Sequence, residues 1–196
     1  MQLRMIRSTR AADGGEVVAV RSADGTADRR RIRLWTCLVL LLLVAVALRA
    51  GFAVLRPVDE RPDEIFQTLE PAHRILTGWG IVSWEWREGI RSWVVPEALA
   101  AVMRAGFAVG LPARFAVPLV WLALSALASL VVVAGVWIGW RKRGLTGALL
   151  CGLLCAVWPD LVYFGPKTLT EVQSGNLAVL AAAIATLLPG ASPTTR

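Results

Sequence analysis

Histidine and cysteine are scarce in this sequence, and its apolar segments carry few charged residues. The 196 residues include one histidine and three cysteines. All three cysteines fall in apolar segments, and the pair Cys151 and Cys155 has no histidine or carboxylate beside it, so this pattern excludes a zinc-type site. The single histidine, His73, is predicted to be a helix-surface residue rather than a catalyst. We therefore expect no metal and no cofactor.

Four apolar runs approach or exceed the roughly 20 residues needed to cross a hydrocarbon core. They cover residues 34–55, 115–140, 144–165 and 172–189. The chain is 56% hydrophobic, with a mean hydropathy of +0.59, above the usual balance of a soluble domain. The interiors of the runs are nearly free of charge, which disfavours a transporter. The predicted fold class is all-α: a polytopic membrane protein with about four transmembrane helices.

Charges between the runs predict their orientation. Eight arginines precede the first run against four acids, three basic residues follow the second at 141–143, and residues 56–93 hold five arginines against seven acids. This positive-inside pattern places the N-terminus and residues 141–143 in the cytoplasm and the acidic loop outside it. Residues 94–114 then lie along the membrane surface, because one crossing must connect that loop to residues 141–143.

Three regions follow from this organisation. Residues 1–33 are polar and basic, which predicts a disordered cytoplasmic tail, and they lack the interleaved aromatics of a nucleic-acid partner site. Residues 34–190 form the membrane portion, in which the loop 56–114 carries the candidate active site. No small-x-small cleavage site follows the first apolar run, so we interpret it as a retained span. Residues 191–196 are a tail or a truncation point.

The acidic loop is predicted to open with an amphipathic helix resting on the membrane surface. Pro62 suits a first helical position, and Asp63 and Glu64 follow where acids favour the positive end of the helix dipole. Pro71 should bend or split this helix, and Gly78 should end it. Carboxylates held just outside a membrane could serve as bases on a lipid-linked substrate, or could form only a solvated loop that fixes topology.

Four tryptophans crowd the next stretch of this loop: Trp79, Trp84, Trp86 and Trp93. Tryptophan favours the membrane–water interface, so one interpretation is an interfacial aromatic belt. The other is a floor on which sugar rings stack. The sequence alone leaves both open.

The loop also resembles a known pattern. Residues 61–74 read Arg-Pro-Asp-Glu-Ile-Phe-Gln-Thr-Leu-Glu-Pro-Ala-His-Arg, and residues 78–93 read Gly-Trp-Gly-Ile-Val-Ser-Trp-Glu-Trp-Arg-Glu-Gly-Ile-Arg-Ser-Trp. They look like the first luminal loop of glycosyltransferase family 22, the GPI-anchor and dolichol-pathway mannosyltransferases of the GT-C superfamily. That family reads His-Pro-Asp-Glu, then Trp-Glu-(Trp/Tyr), then Arg-Ser, and Arg61 replaces the histidine. Residues 165–171 resemble its Arg/Lys-Thr-x-x-(Glu/Asn) element in the second luminal loop.

The resemblance implies an activity and a site. Such enzymes move mannose from a polyprenyl- or dolichyl-phosphate carrier to a hydroxyl of a glycolipid or glycan acceptor, with inversion and without a metal. A base must take the proton of the attacking hydroxyl, and a cation must hold the developing phosphate charge. Asp63 is the first choice for the base and Glu64 the second. The expected substrate-binding residues are Arg74, Arg91, Lys167, Glu171, Trp84 and Trp86.

Members of the family are usually much longer, with ten or so spans, so we expect this chain to be an N-terminal portion. The alternative is an inactive relic or a membrane assembly subunit without catalysis. Frequent alanine, arginine and glycine suggest a GC-rich bacterial genome, hence the plasma membrane, or the endoplasmic reticulum membrane in a eukaryote. The expected partners are the lipid-linked sugar donor, its acceptor and membrane lipids, and no nucleic acid.

Overall fold

The computed structural model describes residues 13–56 and 61–186, and every regular element in those ranges is helical. The α-helices are α1 (Asp13–Leu55), α2 (Pro62–Glu64), α3 (Glu70–Thr77), α4 (Trp84–Arg87), α5 (Val94–Ala108), α6 (Ala116–Ser129), α7 (Val131–Val157), α8 (Pro159–Phe164) and α9 (Thr170–Ala185). A π-helical turn at Ile65–Leu69 joins α2 to α3, and a 3-10 turn at Ala113–Phe115 precedes α6. The expected all-α class is confirmed for the described residues.

Two segments of the described chain are long and apolar enough to cross a membrane. They are Asp28–Leu55 and Ala113–Val157. Val39, Leu40 and Leu43 of the first segment are exposed on the surface of the fold. Exposed apolar side chains along a long helix are typical of a surface that faces lipid. The structure therefore indicates an integral membrane protein.

Helix α1 begins at Asp13, well before its apolar run. Of the predicted disordered tail, residues 13–33 are helical, and residues 1–12 lie outside the described residues. The reason is that alanine and arginine are good helix formers, so a helix nucleated in the apolar run extends back into the charged stretch. Residues 191–196 also lie outside the described part of the chain.

Helix α7 reverses direction at Arg143 and Gly144, where the backbone leaves helical geometry. Gly144 has φ +59°, a conformation that favours glycine. The two arms, residues 131–142 and 145–157, then lie side by side. A Cβ on Gly139 would overlap the carbonyl oxygen of Gly147, so only glycine permits the backbones to approach this closely. The reversal falls at the basic residues that separate two of the predicted runs.

The two ends of the apolar segment Asp28–Leu55 of α1 lie beside different parts of the chain. Arg30 and Arg33 line a cavity together with Gly144. Toward the other end, Arg56 lines a cavity with Lys167, which belongs to the loop 165–169, here called the lysine loop. The first group defines the basic end of the fold and the second its loop end. The α7 reversal and the lysine loop thus lie at opposite ends of this apolar segment.

The acidic loop is held at the loop end by a buried apolar cluster. Its members come from the π-helical turn, α3, α5 and α6: Leu69, Ala72, Leu99, Ala100, Met103, Val120 and Leu124. The apolar face of the predicted amphipathic helix therefore packs against protein through Leu69 and Ala72. A second cluster, which includes Leu41, Val132 and Ala148, joins α1 to both arms of α7.

Candidate active site

The acidic helix begins and ends where the sequence predicts. Pro62 is the first residue of α2, and Gly78 ends α3 with φ +82°. Pro71 lies within the helical stretch, where its ring would normally clash with the carbonyl four residues before it. That carbonyl belongs to Gln67, which lies in the wider π-helical turn, so the helix accommodates the proline without ending. Such turns are frequent at functional sites.

The two adjacent acids occupy opposite environments. Asp63 is exposed, and its Oδ1 accepts a hydrogen bond of 3.0 Å from Gln67 Nε2. Glu64 is 0% exposed. Neighbouring helical residues point about 100° apart, so only one of the two can face the core. Of the two carboxylates, Asp63 is therefore the one open to solvent.

Glu64 forms a buried ion pair with Lys167. Its Oε1 lies 3.3 Å from Lys167 Nζ, and the two side chains are 0% and 9% exposed. Its Oε2 accepts a hydrogen bond from the backbone N–H of Thr168 at 3.4 Å. Each buried charge compensates the other, whereas a single charge at this depth would have no counter-charge. Glu64 and Lys167 are thus brought together, as partners that join the acidic helix to the loop after α8.

Two threonines complete this buried junction. The hydroxyls of Thr68 and Thr168 lie 2.8 Å apart. Both are within hydrogen-bonding distance of the Glu64 carbonyl oxygen, at 2.6 Å and 3.3 Å. Sequence reasoning missed both as site residues. Thr168 belongs to the Lys-Thr-x-x-Glu element, which could have revealed it, whereas no sequence signal marks Thr68.

Arg91 lies among carboxylates. Its Nη2 donates to Glu85 Oε1 at 3.0 Å. This hydrogen bond raises the pKa of Arg91 above its ordinary value, and the charges of Glu85, Glu171 and Asp63 raise it further. Glu85 is thus the direct partner of Arg91, and the charges of Asp63 and Glu171, two other predicted site residues, act on Arg91 in the same direction.

Arg61, which replaces the histidine of the resembled pattern, lies over aromatic rings of α8. Its Cζ is 5.0 Å from the ring centroid of Phe164 and 6.0 Å from that of Tyr163. Lys167 Nζ lies 5.7 Å from the same Tyr163 ring. Cations are attracted to aromatic faces at these distances. The rings of Tyr163 and Phe164 thus contact two cations: Arg61, two residues before Asp63, and Lys167, which pairs with Glu64.

The predicted tryptophans differ in exposure. Trp86 is only 8% exposed, its Nε1 donates to the carbonyl oxygen of Phe66 at 3.1 Å, and its ring lies 4.3 Å from that of Trp93. A ring in this position braces the loop and has little free face for a sugar. Trp84 is 65% exposed and leaves its face open.

Arg74 lies apart from these groups. It is exposed, and its Nη1 donates to the carbonyl oxygen of Gly80 at 3.2 Å. Glu70 Oε1 accepts from the next backbone N–H, that of Ile81, at 2.7 Å. Arg74 and Glu70 therefore shape the bend after α3. Among the described residues, no group of three or more His, Cys, Asp or Glu side chains is arranged to hold a metal ion.

An apolar groove between α1 and α6 opens near the lysine loop. Its walls include Ala53, Leu119 and Trp121. Two of these residues, Ala53 and Trp121, also line the cavity of Arg56 and Lys167. The groove and this cavity are therefore adjacent, with an apolar wall next to two cationic side chains.

Comparison with known proteins adds an independent finding. A model of the Alg9-like mannosyltransferase family matches residues 40–137. The chain is 42% identical over 65 residues to GPI mannosyltransferase 3 of Yarrowia lipolytica and 42% identical over 66 residues to that of Drosophila melanogaster. It is 36% identical over 76 residues to GPI alpha-1,2-mannosyltransferase 3 of Homo sapiens.

These matches cover 33%, 34% and 39% of this chain, but only 13%, 11% and 14% of the three relatives. The chain thus corresponds to a small part of each relative. No solved structure matches it. The family match covers half of the chain and includes the acidic helix, the tryptophan-rich residues 78–93 and α5. The chain therefore belongs to the Alg9-like mannosyltransferase family.

Proposed function

We propose that this protein is a membrane-embedded, inverting mannosyltransferase. It moves mannose from a polyprenyl- or dolichyl-phosphate carrier to a hydroxyl of a glycolipid or glycan acceptor. Family membership and the names of the relatives support the sugar and the reaction class. The observation that carries the proposal is the exposed Asp63 on a helix that the buried ion pair of Glu64 and Lys167 anchors to the loop after α8.

Asp63 is the general base of this reaction. The acceptor hydroxyl attacks C1 of the mannose on the face opposite the phosphate, and its proton passes to the Asp63 carboxylate. The new bond joins the acceptor oxygen to C1 while the bond from C1 to the phosphate oxygen breaks, which inverts the configuration. Phosphate is a good leaving group, so the reaction needs no general acid. The hydrogen bond from Gln67 holds the carboxylate in position.

The carrier binds along the groove between α1 and α6. Its hydrocarbon chain occupies the apolar walls, and its phosphate lies toward Arg56 and Lys167 in the adjoining cavity. Cationic groups stabilise the negative charge that develops on the leaving phosphate. Glu171 and the exposed face of Trp84 contact the sugars. Glu64 acts as the partner that fixes Lys167, which supports Asp63 rather than Glu64 as the base.

The chain crosses the membrane four times in this proposal. The crossings are α1, α6 with the first arm of α7, the second arm of α7 with α8, and α9. The basic end faces the cytoplasm and the loop end faces the extracytoplasmic or luminal side, since basic residues remain inside. Helix α5 (Val94–Ala108) lies along the surface, because α6 with the first arm of α7 already supplies the single crossing from the loop end to the basic end. The membrane is a bacterial plasma membrane or the endoplasmic reticulum.

A mannosyl-transfer assay with Asp63→Asn tests the proposal. The amide oxygen of the introduced asparagine can still accept the hydrogen bond from Gln67, but the side chain cannot take a proton. Turnover on polyprenyl-phosphate mannose should therefore fall by ~10²–10⁴-fold. Glu88→Gln, at an exposed acid of the same loop, is the matched control and should retain normal turnover. If Asp63→Asn keeps near-normal turnover and Glu64→Gln is inactive, Glu64 rather than Asp63 is the general base. Full activity of both variants would favour a noncatalytic assembly subunit.

A further inference from the structure

Arg49 is a fully buried cation within the apolar stretch of α1. Its Nη1 donates to the carbonyl oxygens of Ala45 and Ala156, both at 3.1 Å, and its Nη2 donates to that of Cys155 at 2.9 Å. Within the described residues, all its hydrogen bonds thus go to backbone oxygens. Ionised residues inside membrane segments are costly and are usually retained for a specific purpose.

Two of these acceptors belong to the last turn of α7. The final four carbonyls of a helix have no partner within that helix, and they carry the negative end of its dipole. Arg49 therefore satisfies Cys155 and Ala156 with a cation supplied by another helix. Its loss would leave these carbonyls buried without a donor, which is costly in an apolar environment.

The stem of Arg49 also contacts the loop that carries Lys167. A Cβ on Gly165 would lie 2.8 Å from the carbonyl oxygen of Leu161, 3.0 Å from Arg49 Cδ and 3.1 Å from Arg49 Nε, so the arginine stem packs closely against this glycine. Residues 165–168 are all buried, and the carbonyl oxygen of Lys167 accepts from Gln173 Nε2 at 2.8 Å. Arg49 therefore packs against the buried loop that carries Lys167.

We propose that Arg49 is a positioning residue for this site. By holding the end of α7 and Gly165 against α1, it sets the position from which Lys167 reaches Glu64. Only the catalytic consequence rests on the proposed function, because the position of Lys167 can be measured without any turnover. In the sequence, Arg49 is marked only as a charge within the apolar run 34–55.

Amine labelling can measure that position, since the chain has two lysines, Lys142 and Lys167. Lys142 is exposed at the basic end and serves as an internal reference. The detergent-solubilised protein is treated with an acetylating reagent, and mass spectrometry gives the labelling rate at each lysine. Glu64→Gln removes the ion pair between Glu64 and Lys167 and defines the labelling rate of Lys167 without that pair. Arg33→Met is the matched control, at an exposed arginine of the same helix.

We expect Lys167 in the unmodified protein to react at least ~10-fold more slowly than Lys142, since it is buried and paired. Arg49→Met should raise its rate to near that of Glu64→Gln, and Arg33→Met should leave it unchanged. Arg49→Lys, which keeps a cationic donor, should restore part of the protection. An unchanged Lys167 rate in Arg49→Met, with a raised rate in Glu64→Gln, would overturn the proposal.

Arg49→Lys decides the matter if Arg49→Met does not fold, because a single amine cannot replace both Nη1 and Nη2 as donors to Ala156 and Cys155. A Lys167 rate above that of the unmodified protein supports the proposal, and an unchanged rate overturns it. Under the proposed function, Arg49→Met should also lower kcat for mannosyl transfer by roughly 10-fold or more, as misplacement of a site group does. If no variant, nor the unmodified protein, transfers mannose, the proposed function fails while the labelling still decides the role of Arg49.

Discussion

Glu64 and Lys167 come from different halves of the sequence, yet their charged atoms lie 3.3 Å apart in the interior. The pair connects the acidic helix to the loop between α8 and α9, and it is reinforced by the Glu64 bond to the backbone of Thr168. The arrangement of the site therefore depends on two segments that lie far apart along the chain.

Removal of either member of this pair should destabilise the protein strongly. Lys167→Met leaves a buried carboxylate without its counter-charge, and Glu64→Gln removes the carboxylate that pairs with the buried lysine, at a cost of about 3–5 kcal/mol each. The double variant should cost less than the sum, because it leaves no unpaired charge. Thermal unfolding in detergent micelles measures all four species. Additive effects would show that the two side chains do not interact.

The two threonine hydroxyls should behave as one unit. Thr168→Val removes hydrogen bonds at nearly constant volume and should cost about 1–3 kcal/mol, because a buried partner is left unsatisfied. Adding Thr68→Val to that variant should cost less than Thr68→Val alone. Thr36→Val, at an exposed threonine whose hydroxyl donates to the Ile32 carbonyl oxygen of its own helix, should change stability by less than about 0.5 kcal/mol. Unfolding measurements that gave equal losses for Thr36 and Thr168 would contradict this view.

Arg91 should contribute a constant amount to stability across ordinary pH. Its hydrogen bond with Glu85 raises its pKa in the folded state above that of the unfolded chain. The contribution is thus complete below the pKa of the unfolded arginine, which lies far above neutral pH, and is lost only as pH rises through the still higher folded pKa. The stability difference between the unmodified protein and Arg91→Met should therefore stay flat from about pH 7 to about pH 10. A difference that declined within this range would contradict the assignment.

The proposed topology places Ser92 and Arg114 on the same side of the membrane and Gly144 on the other. Reporter fusions at Ser92 and Arg114 should both report an extracytoplasmic location, and a fusion at Gly144 should report the cytoplasm. Helix α5 lies between the first two positions and is predicted not to cross. Opposite signals at Ser92 and Arg114 would contradict this topology, and with it the placement of Asp63 and Lys167 on the same side of the membrane.

Local features of this fold could be predicted from the sequence. The start of the helix at Pro62 and its end at Gly78 follow from the backbone preferences of proline and glycine. The break between two apolar runs near residues 141–144 follows from charge, because basic residues favour the cytoplasmic boundary. These signals act over a few residues, so one sequence carries them.

The inward or outward direction of each site residue could not be predicted in this way. Helical geometry requires Asp63 and Glu64 to face differently, but which of them is buried depends on the distant loop that brings Lys167. Trp84 and Trp86 are likewise equivalent in sequence and differ only through packing against Trp93. The role of Arg49 left no signal, because its acceptors are backbone oxygens that any residue could provide.

The π-helical turn at Ile65–Leu69 sets the rotational phase between the two acids and the rest of their helix. It fits one additional residue into the turn, and a residue corresponds to about 100° of rotation. Loss of that residue would turn Asp63 and Glu64 by that angle relative to α3, which the apolar cluster holds in place. Glu64 would then no longer face Lys167. The number of residues between the acid pair and Leu69 is therefore as much a requirement of the site as the acids themselves.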